Sequence, residues 1–208
     1  DLILKNIKPT RSFKEDDTDD GKENTPSEAI AATQSAANTK ISDSKTGGTD
    51  DEASARAASL KVLVVGCGNS QMTERLYQDG LSDILSIDYS EVVVSQMQLH
   101  YQKSHPTLRF ATMDARALKV NPASFDVIID KGTLDAVLCG ERPARQGGKM
   151  LLSAFKALKP GGVFFVISYG PPQSRLNYFA NRRFKWTAKS SKIGDTTRYI
   201  YTLRKQSA

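Results

Sequence analysis

The stretch VLVVGCGNS, residues 62–70, decides how the rest of the chain is read. Val62, Leu63, Val64 and Val65 form a continuous, mostly β-branched apolar run, the pattern of a strand buried on both faces, as in a parallel sheet. Gly66 and Gly68 follow at once; with no Cβ, they let the backbone turn tightly and come close to a ligand. Asn69 and Ser70 are good caps for a following helix. Strand, glycine turn, helix is the opening of a nucleotide-binding βαβ unit, although a bare Gly-x-Gly serves equally well in an ordinary tight turn.

Outward from that turn, strand and helix patterns alternate. MTERLYQDG predicts a helix ending at Gly80, and DILSID (83–88) a second buried strand. From Ser90 a long helix is expected, EVVVSQMQLHYQKS, with Val93, Met97 and Tyr101 at helical spacing and Pro106 beyond its end. LRFATMD (108–114) and FDVIID (125–130) read as strands three and four. A helix is expected around 147–158, before the stop signal Lys159-Pro160-Gly161-Gly162, and GVFFVISYG (162–170) as a fifth strand. FKWTAKSS and RYIYTLRK, joined through Gly194-Asp195, predict a closing antiparallel hairpin. Such alternation implies a doubly wound α/β sheet with right-handed crossovers.

Upstream the composition changes. Between Phe13 and Leu60 the only large apolar residues are Ile30 and Ile41. Such a segment cannot bury enough surface to offset the entropy of ordering it, so residues 14–59 are expected to be disordered, with a short nascent helix over SEAIAATQSAA (27–37). Residues 1–13 have some apolar character and are expected to pair with or dock on the body. The division is therefore 1–59, a mostly disordered acidic segment, and 60–208, the folded domain.

The net charge of +6 hides an asymmetry: five basic against eleven acidic residues over 14–59, but 21 basic against 11 acidic from Leu60 onward. A basic body suits acidic partners, yet no Arg-aromatic interleaving specifies nucleic acid. No apolar run approaches the ~18 residues of a membrane span, and the start of the chain has no signal-peptide pattern. The chain does not begin with Met, as a fragment would not. Cys67 and Cys139, with only two histidines beside them, make neither a disulfide scaffold nor a metal site. A reducing, cytoplasmic setting is expected, with neither membrane nor nucleic acid as partner.

In open α/β sheets ligands bind at the carboxyl ends of the strands. Those ends carry Gly66 and Gly68, then Asp88, Asp114, Asp130 with Lys131, and Tyr169. Asp88 lies 22 residues beyond Gly66, where a carboxylate accepts from a ribose diol; capping a helix is the alternative. Tyr89 offers a ring to a nucleobase or to packing. Asp114 suits the adenine amino group, or a cap for the segment after it. A dinucleotide wants a third glycine where Gln71 stands, and there is no GxxxxGK[ST] for a phosphate cradle. A cofactor with adenosine and no phosphates fits best: S-adenosylmethionine, its amino-acid end on the glycine turn.

LVVGCGNSQMTERLY, SIDYSEVVVSQMQ, FATMDAR and, above all, FDVIIDKGTLDAVLCGE resemble the elongation factor 1-alpha lysine methyltransferase branch of the class I methyltransferases, from about Leu60 to Lys205. The resemblance implies a Rossmann-like, seven-stranded, mostly parallel sheet with an antiparallel last strand. It implies that Gly66, Cys67, Gly68 and Asn69 hold the methionine part of the cofactor, and that Asp88 and Tyr89 hold ribose and adenine. Asp114 and Ala115 would flank the adenine, and Asp130, Lys131, Gly132 and Thr133 would line the methyl-transfer face. It also implies a protein substrate similar to elongation factor 1-alpha. The family usually carries an aromatic segment of the type YWDxRY shortly before its first strand, and nothing like it precedes Leu60. Three expectations cover this departure: a chain that starts after the segment, a divergent form within 1–13, or its loss.

Methyl transfer from a sulfonium is an in-line displacement that needs a neutral, aligned nucleophile, so most of its catalysis is positioning and desolvation. Asp130 is the candidate to orient a substrate amine and Tyr169 a candidate wall. A structural bond from Asp130 to the following turn is the alternative. Asp135 reads as a helix N-terminal charge, and Arg142, Arg145, Arg182 and Arg183 as exposed charge or a grip on acidic substrate. The leading expectation is a protein-lysine methyltransferase; the alternatives are methylation of a small molecule or another protein residue, and a catalytically impaired cofactor-binding scaffold.

Overall fold

The computed structural model of the protein describes residues 58–207. The disorder expected over 14–59, the nascent helix at 27–37 and the docking of residues 1–13 lie outside the described residues, except for Ala58 and Ser59.

The strands are β1 (Lys61–Val65), β2 (Asp83–Asp88), β3 (Arg109–Thr112), β4 (Phe125–Lys131), β5 (Leu158–Ser168), β6 (Trp186–Lys192) and β7 (Tyr199–Lys205). They form one sheet in the order β3-β2-β1-β4-β5-β7-β6. β1 is flanked by β2 and β4, parallel to both, and its four residues from Val62 to Val65 are essentially inaccessible to solvent. That is why the run reads as unbroken apolar rather than alternating. β7 slots between β5 and β6, antiparallel to each. The predicted hairpin is therefore correct, but its second strand, not its first, joins the rest of the sheet.

The helices are α1 (Met72–Gln78), α2 (Glu91–Tyr101), α3 (Thr133–Cys139), α4 (Pro143–Ala157) and α5 (Pro172–Phe179). Ser90 caps α2, its hydroxyl accepting from the Val93 amide. α4 starts at Pro143, earlier than the apolar pattern suggested, because proline is preorganised for a first helical position. β5 likewise begins at Leu158 rather than 162. Leu158 pairs with Phe125 and Val163 with Val127, so Lys159–Gly162 bulge out opposite Asp126 alone.

One apolar cluster gathers Leu63, Ile128, Leu134, Met150, Leu151, Phe164, Phe179, Trp186, Tyr201 and Leu203. The Trp186 indole N–H donates to the Phe179 carbonyl (2.8 Å), so the bulkiest ring enters the core with its polar atom satisfied. Among the described residues no helix is long and apolar enough to cross a membrane.

Candidate functional site

The chain runs from β1 outward to β2 and β3, then crosses back to β4 on the other side of β1. The switch in strand order thus falls between β1 and β4, the place at whose carboxyl ends open α/β sheets bind their ligands. The glycine turn sits there. Gly66 has φ +63° and Gly68 φ +52°, a left-handed region that side chains strain to adopt. A Cβ at Gly68 would meet nothing within 4 Å, so that glycine faces open space. A Cβ at Gly66 would fall 2.0 Å from the Thr133 hydroxyl oxygen. Thr133 therefore packs beneath the turn, and its hydroxyl donates to the Val65 carbonyl (2.9 Å). The resemblance placed Thr133 on the methyl-transfer face; here its hydroxyl braces the end of β1.

Asp88 ties the turn to β2. Its Oδ2 accepts from the Gly68 amide (2.9 Å) and its Oδ1 from the Ser90 amide (2.9 Å). A carboxylate has about four acceptor sites, so two remain for a ligand's hydroxyls. The Asp88 carbonyl accepts from the Met113 amide (2.8 Å), and the Cys67 amide donates to Ile87 (2.9 Å). The ends of β1, β2 and β3 are thus locked by main-chain bonds. Burial, helped by the Asp88 charge, pushes the Cys67 thiol up to about 12; it fills space and is no nucleophile. Asn69 is exposed, and Tyr89 is 76% exposed, its ring free to lie along a ligand.

Asp114 does not present a vacant carboxylate. Oδ1 accepts from the Arg116 amide (2.8 Å) and Nε (2.9 Å), Oδ2 from Nη2 (2.8 Å), capping a 3₁₀ turn over Ala115–Ala117. The guanidinium holds this carboxyl below its ordinary range. Its partly exposed neighbour Ala115 is left to flank a ligand.

Asp130 differs from its expected role as a substrate-facing carboxylate. It is fully buried, Oδ1 accepting from the Thr133 amide (2.7 Å) and Oδ2 from the Leu134 amide (3.0 Å). It satisfies the first N–H groups of α3, which Gly132 at the N-cap has no side chain to do. Burial pushes its carboxyl up to about 7. The structural alternative is the one the geometry supports, because no amine reaches Asp130 unless the turn opens. Lys131, next to it, is exposed.

Asp135 carries more than helix-end charge. Its Oδ1 accepts from the Ser168 hydroxyl (2.5 Å) and Arg175 Nη2 (2.8 Å), its Oδ2 from the Tyr169 amide (2.8 Å). Tyr169 stands just beyond β5, 58% exposed, its hydroxyl accepting from Arg198 Nη2 (2.6 Å). Sequence reasoning missed Ser168, Arg175 and Arg198. Arg175 meets Asp135 from 40 residues away, and no local pattern signals that. Arg142, Arg145, Arg182 and Arg183 are exposed.

Residues 57–203 match the family described as a methyltransferase domain. The chain is 39% identical to the mouse EEF1A lysine methyltransferase 4 over 137 residues, 62% of this chain and 53% of that one. It is 35% identical to the bovine protein of the same name, covering 69% and 59%. It is 46% identical to the bovine eEF1A lysine and N-terminal methyltransferase over 110 residues, 52% of this chain and 16% of that one. The chain thus spans somewhat over half the length of the first two relatives. Among solved structures it is similar to the [4+2]-cyclase SpnF, with a TM-score of 0.58, 17% identity and coverage of 77% and 83%. It is also similar to a Haemonchus contortus phosphoethanolamine N-methyltransferase, with a TM-score of 0.58, 15% identity and coverage of 72% and 39%. At such identity these two speak for the fold alone. The sheet order, the glycine turn clasped by Asp88 and the match across most of the described domain lead to one conclusion: this chain belongs to the methyltransferase domain family.

Proposed function

We propose that this domain binds S-adenosylmethionine at the glycine turn and methylates a lysine of a protein similar to elongation factor 1-alpha. The observation that carries the proposal is the clasp between Gly68 and Asp88. It holds a glycine with open space before it next to a carboxylate with acceptor capacity to spare. That pair suits an uncharged ribose diol and a zwitterionic amino-acid end, and Asp88 would repel a phosphate. The names of the relatives at 35–46% identity support the substrate class.

In this reading Gly66–Asn69 hold the methionine portion, Asp88 the ribose, and Tyr89 with Ala115 the adenine. When bound, S-adenosylmethionine would supply an electrophilic methyl group to a neutral amine, with sulfur leaving as a neutral thioether and the amine's proton passing to water. The chain's own part is orientation. Asp88 is committed to the ribose, and Asp114, Asp130 and Asp135 are engaged by main chain or arginine, so none of the four stands ready as a base. Positioning and exclusion of water then carry the rate, with Tyr169 as the aromatic wall on the β5 side. Cys67 and Cys139, both free, suit a reducing compartment, and we place the activity in the cytoplasm.

The test is incubation with methyl-labelled S-adenosylmethionine and purified elongation factor 1-alpha, followed by peptide mass spectrometry. A single methylated lysine, lost with Asp88→Ala, is expected. Cofactor binding with label on no lysine would remove the substrate assignment.

A further inference from the structure

Asp135 and Arg175 make the most enclosed ion pair among the described residues, each side chain 15% exposed. Their setting is built around them. The guanidinium donates to Asp135 through Nη2 (2.8 Å) and Nε (3.2 Å), and Nε also reaches the Ser168 hydroxyl (3.0 Å). A Cβ at residue 170 would lie 2.2 Å from the guanidinium carbon of Arg175, so any side chain there would have to displace the guanidinium from its present place. The Gly170 carbonyl accepts from the buried Tyr201 hydroxyl (2.6 Å), and its amide donates to Ser168 (3.0 Å). Three elements, α3, the end of β5 and α5, therefore converge on one arginine.

What they hold is Tyr169. Its amide is bound by Asp135 Oδ2 (2.8 Å) and its hydroxyl by Arg198, whose guanidinium carbon also lies 4.9 Å from the ring centroid. The ring is fixed at both ends, yet 58% of the residue is exposed. An exposed tyrosine ordinarily keeps its freedom; pinning it before a ligand arrives lowers the entropy lost on contact. It also stands beside the carboxyl end of β4, because the Gly132 amide donates to the Ile167 carbonyl two residues before it (3.0 Å).

We propose that Asp135 and Arg175 are positioning residues that act through Tyr169. They fix its ring as the surface against which the substrate's side chain is laid, and they take no part in holding the cofactor. The ring's apolar area suits the hydrocarbon stem of a lysine, and laying the stem along it would aim the neutral amine at its end. The role rests on the lysine reading given above.

The test combines three measurements on the same chain. Amide exchange by NMR is expected to be at least tenfold faster at Tyr169 in Asp135→Asn and Arg175→Met, with the Gly68 amide unchanged. Affinity for S-adenosylhomocysteine is expected to stay within twofold, while kcat/KM for elongation factor 1-alpha falls at least tenfold. Arg175→Lys, which keeps the charge but not the fork, is expected to recover part of that loss and serves as the second variant if Arg175→Met does not fold. The Tyr169→Ala/Arg175→Met double variant is expected to be no slower than Tyr169→Ala alone. Unchanged exchange at Tyr169, or losses that multiply in the double variant, would overturn the proposal. Faster exchange at Tyr169 in a chain that methylates no lysine would instead count against the lysine reading.

Discussion

Gly66→Ala and Gly68→Ala look like one substitution made twice, and the structure says they are not. Both glycines have positive φ, +63° and +52°, so each alanine suffers a left-handed backbone penalty of about 1–2 kcal/mol. At Gly68 nothing more is added, because the new methyl group enters open space. At Gly66 it would sit 2.0 Å from the Thr133 hydroxyl oxygen, 2.8 Å from its Cγ2 and 2.9 Å from its Cβ. Thr133 is β-branched and stiff at χ1, so rotation brings another atom into the same space. Its hydroxyl must also give up the Val65 carbonyl, a loss of about 1 kcal/mol. Overpacking of this kind adds roughly 1–3 kcal/mol. Gly66→Ala is therefore expected to cost about 3–6 kcal/mol and Gly68→Ala about 1–2 kcal/mol. Urea unfolding followed through the single tryptophan, Trp186, measures both. Adding Thr133→Gly to Gly66→Ala isolates the steric part, and the pair should be less damaging together than their separate costs predict. Equal costs at the two glycines, or strict additivity in the double variant, would refute the reasoning.

Other expectations are smaller but equally direct. The Asp130 carboxyl is pushed up to about 7 from an ordinary 3.8, chiefly by burial, so the native state holds its proton more tightly than the unfolded chain. Its contribution to stability is fullest below about pH 4, declines as pH rises towards 7 and is level above that. Asp130→Asn should remove that slope, gaining on its parent by about 1 kcal/mol or more between pH 5 and 7.5; parallel pH profiles in urea unfolding would contradict this. Ala123 has φ +51° and is exposed, so Ala123→Gly should stabilise by about 0.5–1 kcal/mol, visible as a rise in Tm. Thr73 and Ser86 share a buried hydroxyl pair at 2.8 Å. Thr73→Val should cost about 1–3 kcal/mol, and the Thr73→Val/Ser86→Ala double variant less, because both polar partners then leave together.

Much of the fold was legible because its signals are local. Val62–Val65 announces a central strand, Ser90 marks a helix start, and Gly66 and Gly68 mark the turn, each within a few residues. The Lys159–Gly162 bulge was not legible: Pro-Gly-Gly reads as a stop, and only pairing with β4 keeps Leu158 in the strand. α5 is a short helix of eight residues, too brief for a periodic pattern to stand out. At the site, the position of Asp88 was readable from its spacing, since a carboxylate about 20 residues past the glycines has one natural place in a βαβ unit. The roles of Asp114 and Asp130 were harder to read, because whether a carboxylate faces a ligand or its own backbone depends on a side-chain rotation no pattern encodes. Asp135 was undervalued for the same reason, its partners Ser168, Tyr169 and Arg175 lying 33 to 40 residues away.

The most direct measurement of the central claim is calorimetric titration of the chain with S-adenosylhomocysteine, alongside Asp88→Ala. Binding at micromolar or tighter affinity, lost in the variant, is the predicted result. No binding by the parent chain, or equal binding by Asp88→Ala, would contradict a cofactor site built on the Gly68–Asp88 clasp.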